Sequence, residues 1–308
     1  MPVQQEDVQL LTDETFRLLR WTRSVVRVSI VGSGTERPLK GQGDHWHYHR
    51  ASELTLIQHG SGTRFVADHV ELFDDADLVL IGSNVPHYWH QRGDSSGLSI
   101  QWDFPSDHGI WSFGEAVAPL RALDQRALRG IRLGGATARS ATEIMGELQH
   151  LKGLWRLAAF LRLMSLLAHA PTSEMPTIAE HPLVLNGTAE HQDAIKHAIS
   201  YILAHYCDPI RLDSLLHLTS MSRATFSRQF QRHVGKPYSV FLNEVRLQAV
   251  CRALRETTAP ISAIAFDHGF NQLSFFNRLF QREFSMCPGE YRHRPPNRNY
   301  SPVGEKSK

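Results

Sequence analysis

The segment Phe226-Ser-Arg-Gln-Phe-Gln-Arg232 returns fifty residues later as Phe276-Asn-Arg-Leu-Phe-Gln-Arg282. Both copies follow the pattern F-x-R-x-F-Q-R and lie in segments long enough to form a helix. Repetition at a fixed spacing indicates one structural unit built twice. The C-terminal third of the chain is therefore predicted to contain two copies of one helical unit.

Each repeat predicts an amphipathic helix. At about 100° per residue, the two phenylalanines of a copy share one face and a polar stripe lies opposite. The stripe contains Ala224, Ser227, Arg228 and Gln231 in the first copy and Ser274, Asn277, Arg278 and Gln281 in the second. Arginine pairs bidentately with guanine, and asparagine or glutamine pairs with adenine, so these stripes suit the reading of base edges.

The residues before each copy predict a helix and a tight turn. In residues 211–222 the turn ends at Ser222, a good helix N-cap, and in residues 261–271 it contains Gly269. Both segments indicate helix-turn-helix motifs.

The segment between the two motifs, Tyr238 to Glu256, has no internal Gly or Pro and predicts one helix. A helix of roughly 27 Å could hold two recognition helices in successive major grooves about 34 Å apart.

Charge is divided unevenly along the chain. Residues 1–190 carry 17 Lys or Arg against 22 Asp or Glu, whereas residues 191–308 carry 16 against 9. The net charges are −5 and +7, which a total of +2 conceals. A basic C-terminal part is what phosphate neutralisation requires, so double-stranded DNA is the predicted partner.

Residues 192–294 resemble the DNA-binding domain of the AraC/XylS family of bacterial transcription regulators. Ser285 departs from the pattern, because the first copy has Gly235 at the equivalent place. The positions that carry the resemblance are Met221-Ser222, Phe226, Arg228, Phe230, Gly235, Arg246-Leu247, Ile261, Ile264-Ala265, Gly269-Phe270, Phe276, Arg278, Phe280, Pro288 and Tyr291-Arg292.

The resemblance implies a role for each recognition helix. It further implies promoter DNA, RNA polymerase and a small-molecule effector as partners, together with a possible homodimer. The implied DNA-contacting residues are Arg223, Ala224, Ser227 and Arg228 in the first helix and Gln272, Leu273, Ser274, Asn277 and Arg278 in the second.

The N-terminal part has a different pattern. Short apolar or alternating runs between Val25 and Trp102 are broken by Gly, Asp and Asn, which predicts an antiparallel sandwich or barrel. The spacing of Gly41, His47, His49, Glu53 and Gly60 matches the first cupin motif, and residues 77–87 resemble the second in looser form.

This second resemblance implies that His47, His49, Glu53 and His87 converge inside a barrel. Three imidazoles and a carboxylate suit Zn, Fe, Mn, Ni or Cu, so a divalent transition metal is one interpretation, although no cofactor is required. Polar groups around a metal-free ligand and purely structural roles are the alternatives. His45, Trp46, Trp89 and His90 lie beside these positions, and alternation along the strands directs some of them outward.

The predicted fold class is α+β with two domains. A cupin-like antiparallel β-barrel with following helices precedes an all-α domain with two helix-turn-helix motifs joined by a linker helix. Helices are predicted over residues 112–130 and 139–169. The predicted boundaries are 1–110 for the barrel, 111–170 for helices that pack on it and could mediate dimerisation, 171–190 for a linker, 191–294 for the DNA-binding domain and 295–308 for a flexible tail.

The function predicted from these patterns is a transcription regulator, an activator, controlled by a small polar metabolite in the barrel. The alternatives are a metal-dependent cupin enzyme fused to a DNA-binding domain and, from another class, an architectural DNA binder. The three cysteines have no CxxC spacing and are predicted to be reduced thiols in a cytoplasmic protein. The sequence shows no leader pattern and no long apolar stretch, so neither export nor membrane insertion is predicted.

Overall fold

The N-terminal strands assemble into one sheet. The computed structural model describes residues 4–5, 8, 14–23, 27–32, 35–39, 47–67, 69–179, 182 and 191–293. The strands are β1 (Gln4–Gln5), β2 (Arg17–Arg23), β3 (Val28–Val31), β4 (Glu36–Leu39), β5 (His47–Tyr48), β6 (Ser52–Val66), β7 (His69–Phe73), β8 (Asp77–Ile81), β9 (His87–Trp102) and β10 (Ile131–Arg132).

The sheet is built around the long strands β6 and β9. Its order is β10-β8-β6-β9-β2-β3-β4, while β7 pairs with β6 and β5 pairs with β9. These pairs are antiparallel, and only the short β1–β5 pair among the described strands is parallel. The N-terminal half is thus an antiparallel sheet, as predicted, and its cupin-like character stays a prediction.

Strand alternation gives the sheet two faces with different roles. The helix face carries Leu54, Leu56 and Ile100, which belong to a hydrophobic cluster shared with the helices that follow the sheet. The opposite face, here called the site face, carries Glu53, which pairs in register with Gln101. The sheet therefore separates the core shared with the following helices from a face on which Glu53 lies beside the buried Val79 and Ile81.

Three helices cover the helix face. They are α1 (Ala118–Ala127), which follows a 3-10 segment at Gly109–Val117, α2 (Gly135–Leu148) and α3 (Gly153–His169). The prediction of one helix over 139–169 is wrong, because the chain turns between α2 and α3. Gly153 adopts φ +52°, and the turn lets α2 and α3 pack against each other and bury both apolar stripes.

The segment after α3 is attached to the sheet. The backbone N–H of Ile178 donates to Gly130 O (2.9 Å), that of Ala179 donates to Arg129 O (2.8 Å), and Thr177 forms a bridge with Ile131. These residues lie in the first half of the predicted linker 171–190. The rest of that linker, apart from residue 182, and the predicted tail 295–308 lie outside the described residues, as do Gly41, His45 and Trp46.

The C-terminal half is helical, as predicted. Its helices are α4 (Gln192–His205), α5 (Leu212–Thr219), α6 (Arg223–Val234), α7 (Tyr238–Glu256), α8 (Ile261–Asp267), α9 (Leu273–Phe284) and α10 (Pro288–His293). No helix in the described part of the chain combines the length and the apolar character needed to cross a membrane.

Candidate nucleic-acid interface and metal-ligand cluster

The first helix-turn-helix motif consists of α5 and α6. Ser220, the residue after α5, adopts φ +54°, and Ser222 caps α6 by accepting a hydrogen bond from the backbone N–H of Thr225 (3.3 Å). Phe226 and Phe230 are fully buried, as their spacing predicts. The N-cap and the apolar stripe together fix which face of α6 remains exposed.

The second motif consists of α8 and α9, with a turn at Gly269. This glycine adopts φ +85°, and a Cβ there would lie 2.6 Å from Tyr206 O and 2.7 Å from Arg246 Nε. Only glycine fits such a crowded left-handed position. Phe276 and Phe280 are fully buried beneath α9. The predicted positive φ and the predicted core residues are both confirmed.

The helix α7 joins the two motifs over the predicted span. Lys236 Nζ lies 2.9 Å from a Glu244 carboxylate oxygen, which ties the turn after α6 to α7. Arg246 Nε donates to Tyr206 O (2.8 Å) and Nη2 donates to Asp208 O (2.9 Å) at the end of α4. The middle of the linker helix is therefore held by contacts with the turn after α6 and with the end of α4.

The polar stripes of α6 and α9 face solvent. Leu273 is half-buried, and the other eight predicted DNA-contacting residues are exposed: Arg223, Ala224, Ser227, Arg228, Gln272, Ser274, Asn277 and Arg278. Arg223 lies 3.6 Å from Asp213. Within the described residues, Arg228 and Arg278 form no ion pair or hydrogen bond, so both guanidinium groups are free to bind another molecule.

Sequence reasoning missed one exposed side chain on α9. Phe275 follows the predicted contact Ser274 and has 39% of its surface exposed. The signal was present, because Phe275 is out of phase with the buried pair Phe276 and Phe280.

The N-terminal site brings together the four predicted ligands. One donor atom from each of His47, His49, Glu53 and His87 lies within 4.8 Å of the others, and all four side chains are buried. One metal ion with bonds of about 2.1 Å holds its ligand atoms within about 4.2 Å of each other, so a small contraction suffices. The cluster thus fits a divalent transition metal.

Backbone carbonyls orient two of the imidazoles. His49 Nδ1 donates to Ala51 O (2.8 Å) and His87 Nδ1 donates to Val85 O (2.8 Å). In the neutral rings, both Nε2 lone pairs then face the cluster. His49 Nε2 lies 2.9 Å from Glu53 Oε2, whereas His87 Nε2 lies 3.8 Å from it and has no hydrogen-bond partner among the described residues. A cation, either a second proton or a metal ion, must separate the lone pair of His49 from the carboxylate. Metal-bound histidines are commonly held in this way.

Glu53 is ionised at the centre of the cluster. Burial raises its pKa, but the hydrogen bond from His49 and the nearby His87 outweigh burial and hold the pKa well below its ordinary value. Gln101 Nε2 donates to Glu53 Oε2 (2.6 Å), and the Thr55 hydroxyl also donates to the carboxylate. Arg17 Nε donates to Gln101 Oε1 (3.0 Å), which extends the network along the sheet.

A buried ion network near this cluster was not predicted from the sequence. Arg64 is almost completely buried and pairs with Asp77 and with Glu71 (2.7 Å). Trp89 Nε1 also donates to Asp77 (3.3 Å). Burial raises the pKa of Glu71, yet hydrogen bonding by His69 and the charge of Arg64 lower it to about 2. Pairs across strands determine this network, so local sequence patterns give no signal for it.

Comparisons with known proteins agree with this architecture. A helix-turn-helix domain family matches residues 215–294. The HTH-type transcriptional activators RhaS of Enterobacter sp. (strain 638) and of Escherichia coli O157:H7 are each 19% identical over 253 residues, covering 80% of this chain and 86% of RhaS.

Solved structures are similar over different parts of the chain. A probable AraC family transcriptional regulator from Rhodopseudomonas palustris CGA009 has 31% identity and covers 34% of this chain and 100% of its own, with a TM-score of 0.32. ToxT from Vibrio cholerae has 12% identity and covers 91% of this chain and 98% of its own, with a TM-score of 0.34.

The family match begins in α5 and extends past α10, so it includes both helix-turn-helix motifs and the helix that joins them. The RhaS relatives extend the similarity over most of the chain. The chain belongs to the AraC/XylS family of DNA-binding transcription regulators.

Proposed function

We propose that this protein is a transcription activator whose promoter binding is controlled by a small polar molecule bound at the site face. The proposed sensor is residues 1–110, with helices 111–170, a linker within 171–190 and a DNA-binding domain at 191–294. The protein would act in the cytoplasm, contact RNA polymerase at the promoter and have no catalytic role. The name of the RhaS relatives supports activation.

The observation that carries the DNA-binding role is the pair of exposed polar stripes on α6 and α9. Both stripes belong to residues 191–308, whose net charge is +7, and each contains an arginine, Arg228 or Arg278, that pairs with no other described residue. Free guanidinium groups can pair bidentately with guanine in the major groove. Two such helices on one rigid linker favour two adjacent grooves of one duplex.

Buried polar atoms on the site face support a ligand there. In the part of the chain that the structure describes, Ser99 Oγ, His87 Nε2 and Gln91 Nε2 have no hydrogen-bond partner. Leaving such atoms unpaired costs about 1–3 kcal/mol each, so a ligand with several oxygen atoms would stabilise the sensor by pairing them. A small polar metabolite is the ligand class that these groups suit.

The four-ligand cluster favours a divalent transition metal as part of this sensor. A bound metal would supply a Lewis acid that attracts an oxygen of the effector. The same set also supports a second candidate function, a metal-dependent enzyme. Metal analysis with a turnover screen separates the two: iron or manganese at one ion per chain together with product formation favours the enzyme, whereas metal without turnover favours the sensor.

An exposed stripe on α3 supports a homodimer. Leu154 and Trp155 are 79% and 78% exposed, and Ala158 and Leu161 continue the same surface at helical spacing. Exposed apolar surface of this kind marks interfaces. Analytical ultracentrifugation of the parent and of Leu161→Glu tests this part, with a dimer expected only for the parent.

Footprinting on promoter DNA tests the proposal as a whole. We expect the full chain to protect two adjacent major grooves, and the double variant Arg228→Ala and Arg278→Ala to lose both protected tracts. A thermal-shift screen of polar metabolites should then find a compound that stabilises the protein and changes the protection. Protection of a single groove, or binding equal to that on random DNA, would contradict the proposal.

A further inference from the structure

We propose that Phe275 recognises the methyl group of a thymine in the DNA site bound by the second helix-turn-helix motif. Phe275 is the third residue of α9, and 39% of its surface is exposed. The inference rests on the proposed DNA-binding function and adds to it a residue that determines specificity.

The position of Phe275 on α9 places it at the edge of the DNA-facing stripe. At about 100° per residue, Asn277 and Phe275 lie roughly 80° to either side of the line through Ser274 and Arg278. Residues near the N-terminus of a recognition helix contact base edges in the major groove. Phe275 therefore faces one wall of a groove that also receives Asn277 and Arg278.

The core beneath α9 does not include Phe275. The buried cluster under this helix contains Phe276, Leu279, Phe280 and Phe284, and Phe275 lies outside it. The ring of Phe275 is tilted against the buried ring of Phe270, with 6.5 Å between the centroids. One side of the ring is thus supported by protein while the rest of the apolar surface faces solvent.

The first motif uses the equivalent position differently. Thr225 corresponds to Phe275, is half-buried, and accepts a hydrogen bond from the Ser222 hydroxyl (3.0 Å) within the cap of α6. In the second motif, the N-cap residue Gln272 makes no side-chain capping bond. Position 275 is therefore free of the capping role that Thr225 has, and it carries an apolar ring.

Thymine is the base that such a ring suits. In the major groove, the C5-methyl of thymine is the apolar group on the base edges, while arginine and asparagine suit guanine and adenine. Burying a group of this size is worth roughly 0.8 kcal/mol, which corresponds to about a fourfold change in affinity. The second motif would thus read an apolar feature that the first motif does not read at the equivalent position.

Uracil substitution in DNA tests the assignment. Duplexes bound by the full chain are selected from a random pool, and each thymine of the selected site is then replaced by uracil, which removes only the methyl group. We expect one replacement in the half-site of the second motif to weaken binding by about fourfold. Phe275→Ala should weaken binding to the thymine duplex by a similar factor. This variant should then bind the thymine duplex and the uracil duplex with equal affinity.

Two further variants make the result specific. Phe275→Leu should keep part of the preference for thymine, and Thr225→Ala, the matched change in the first motif, should leave every thymine-to-uracil effect unchanged. Melting temperatures show whether each variant is folded. If a variant does not fold, the effect of uracil on binding by the parent protein still tests the assignment. A selected site whose second half lacks thymine, or a full uracil effect in Phe275→Ala, overturns the assignment. Failure to select any sequence instead contradicts the proposed function.

Discussion

The two helix-turn-helix motifs share a sequence pattern but differ in what their cores contact. Phe226 and Phe230 of the first motif belong to a hydrophobic cluster that also contains Phe65 and Val70 of the sheet. Phe276 of the second motif belongs to a separate cluster formed by α7, α8, α9 and α10 and their connections, to which the sheet contributes only the partly buried Leu72 within the described residues. One motif is joined to the N-terminal half, and the other is largely self-contained.

This difference indicates that the two copies of one structural unit have different packing roles. The first copy connects to the sheet, and the second is connected to it mainly through α7. The helix α4, through Ile195, Ile199 and Ile202, lies in the same cluster as the sheet and the first motif. A change at the site face would therefore reach the first motif through continuous packing. The second motif would follow through the rigid helix α7, whose N-terminal half lies in the first cluster and whose C-terminal half lies in the second.

The largest expected effect comes from opening a cavity in each core. Phe226→Ala and Phe276→Ala each remove a fully buried ring, so each should lower the free energy of unfolding by about 3–5 kcal/mol. Hydrogen exchange should show loosening of the sheet only in Phe226→Ala, because, among the described residues, only that core includes fully buried residues of the sheet. Urea unfolding gives the magnitudes. If either variant unfolds like the parent, the assigned helix face is wrong; if both loosen the sheet equally, the two cores are not separate.

The repeat made the C-terminal half predictable from the sequence. Helical periodicity, an N-cap at Ser222 and a glycine turn at Gly269 are local features, so residues within one or two turns determine them. The bounds of α7 and the burial of the repeated phenylalanines followed from the same features. The spacing of His47, His49 and Glu53 likewise identified the buried cluster.

Nonlocal features of the N-terminal half were not predictable in the same way. Strand β7 and the ion network around Arg64 depend on cross-strand pairing, which leaves little trace in a short window. The break between α2 and α3 was missed because apolar residues continue at helical spacing on both sides of the turn. The packing of the first motif on the sheet is also a contact between residues distant in sequence.

The turns of the two motifs provide the next comparison. Gly269→Ala should destabilise the second motif by about 2–4 kcal/mol, because it adds left-handed strain and a Cβ within 2.7 Å of Tyr206 O and Arg246 Nε. The matched change Ser220→Ala in the first motif keeps a left-handed residue that already has a Cβ, so a change within about 0.5 kcal/mol is expected. Thermal unfolding of both variants checks the pair, and equal losses would show that crowding at Gly269 is unimportant.

The exposed arginines test whether both motifs read DNA. Arg228→Ala and Arg278→Ala should each cost roughly 1–3 kcal/mol at the selected site and relax the preference at one base position. Arg223→Ala is the matched control, since Arg223 already lies 3.6 Å from Asp213 and a smaller loss is expected. Fluorescence anisotropy on selected and random duplexes gives both affinities. Equal losses on the two duplexes would identify the arginines as phosphate contacts, and no loss for one arginine would remove its motif from the interface.

The smallest expected effect concerns the ends of the two recognition helices. The residue after α6 is Gly235 with φ +78°, whereas the residue after α9 is Ser285 with φ +53°. Glycine adopts this left-handed conformation without the steric cost that a Cβ brings. Ser285→Gly should therefore raise the free energy of unfolding by about 0.5–1 kcal/mol, and the reverse change Gly235→Ser should lower it by about 1 kcal/mol. Urea unfolding of both single variants measures the two effects, whose opposite signs follow from the same backbone geometry. A loss of stability in Ser285→Gly would mean that the serine side chain makes a contact that outweighs its backbone strain.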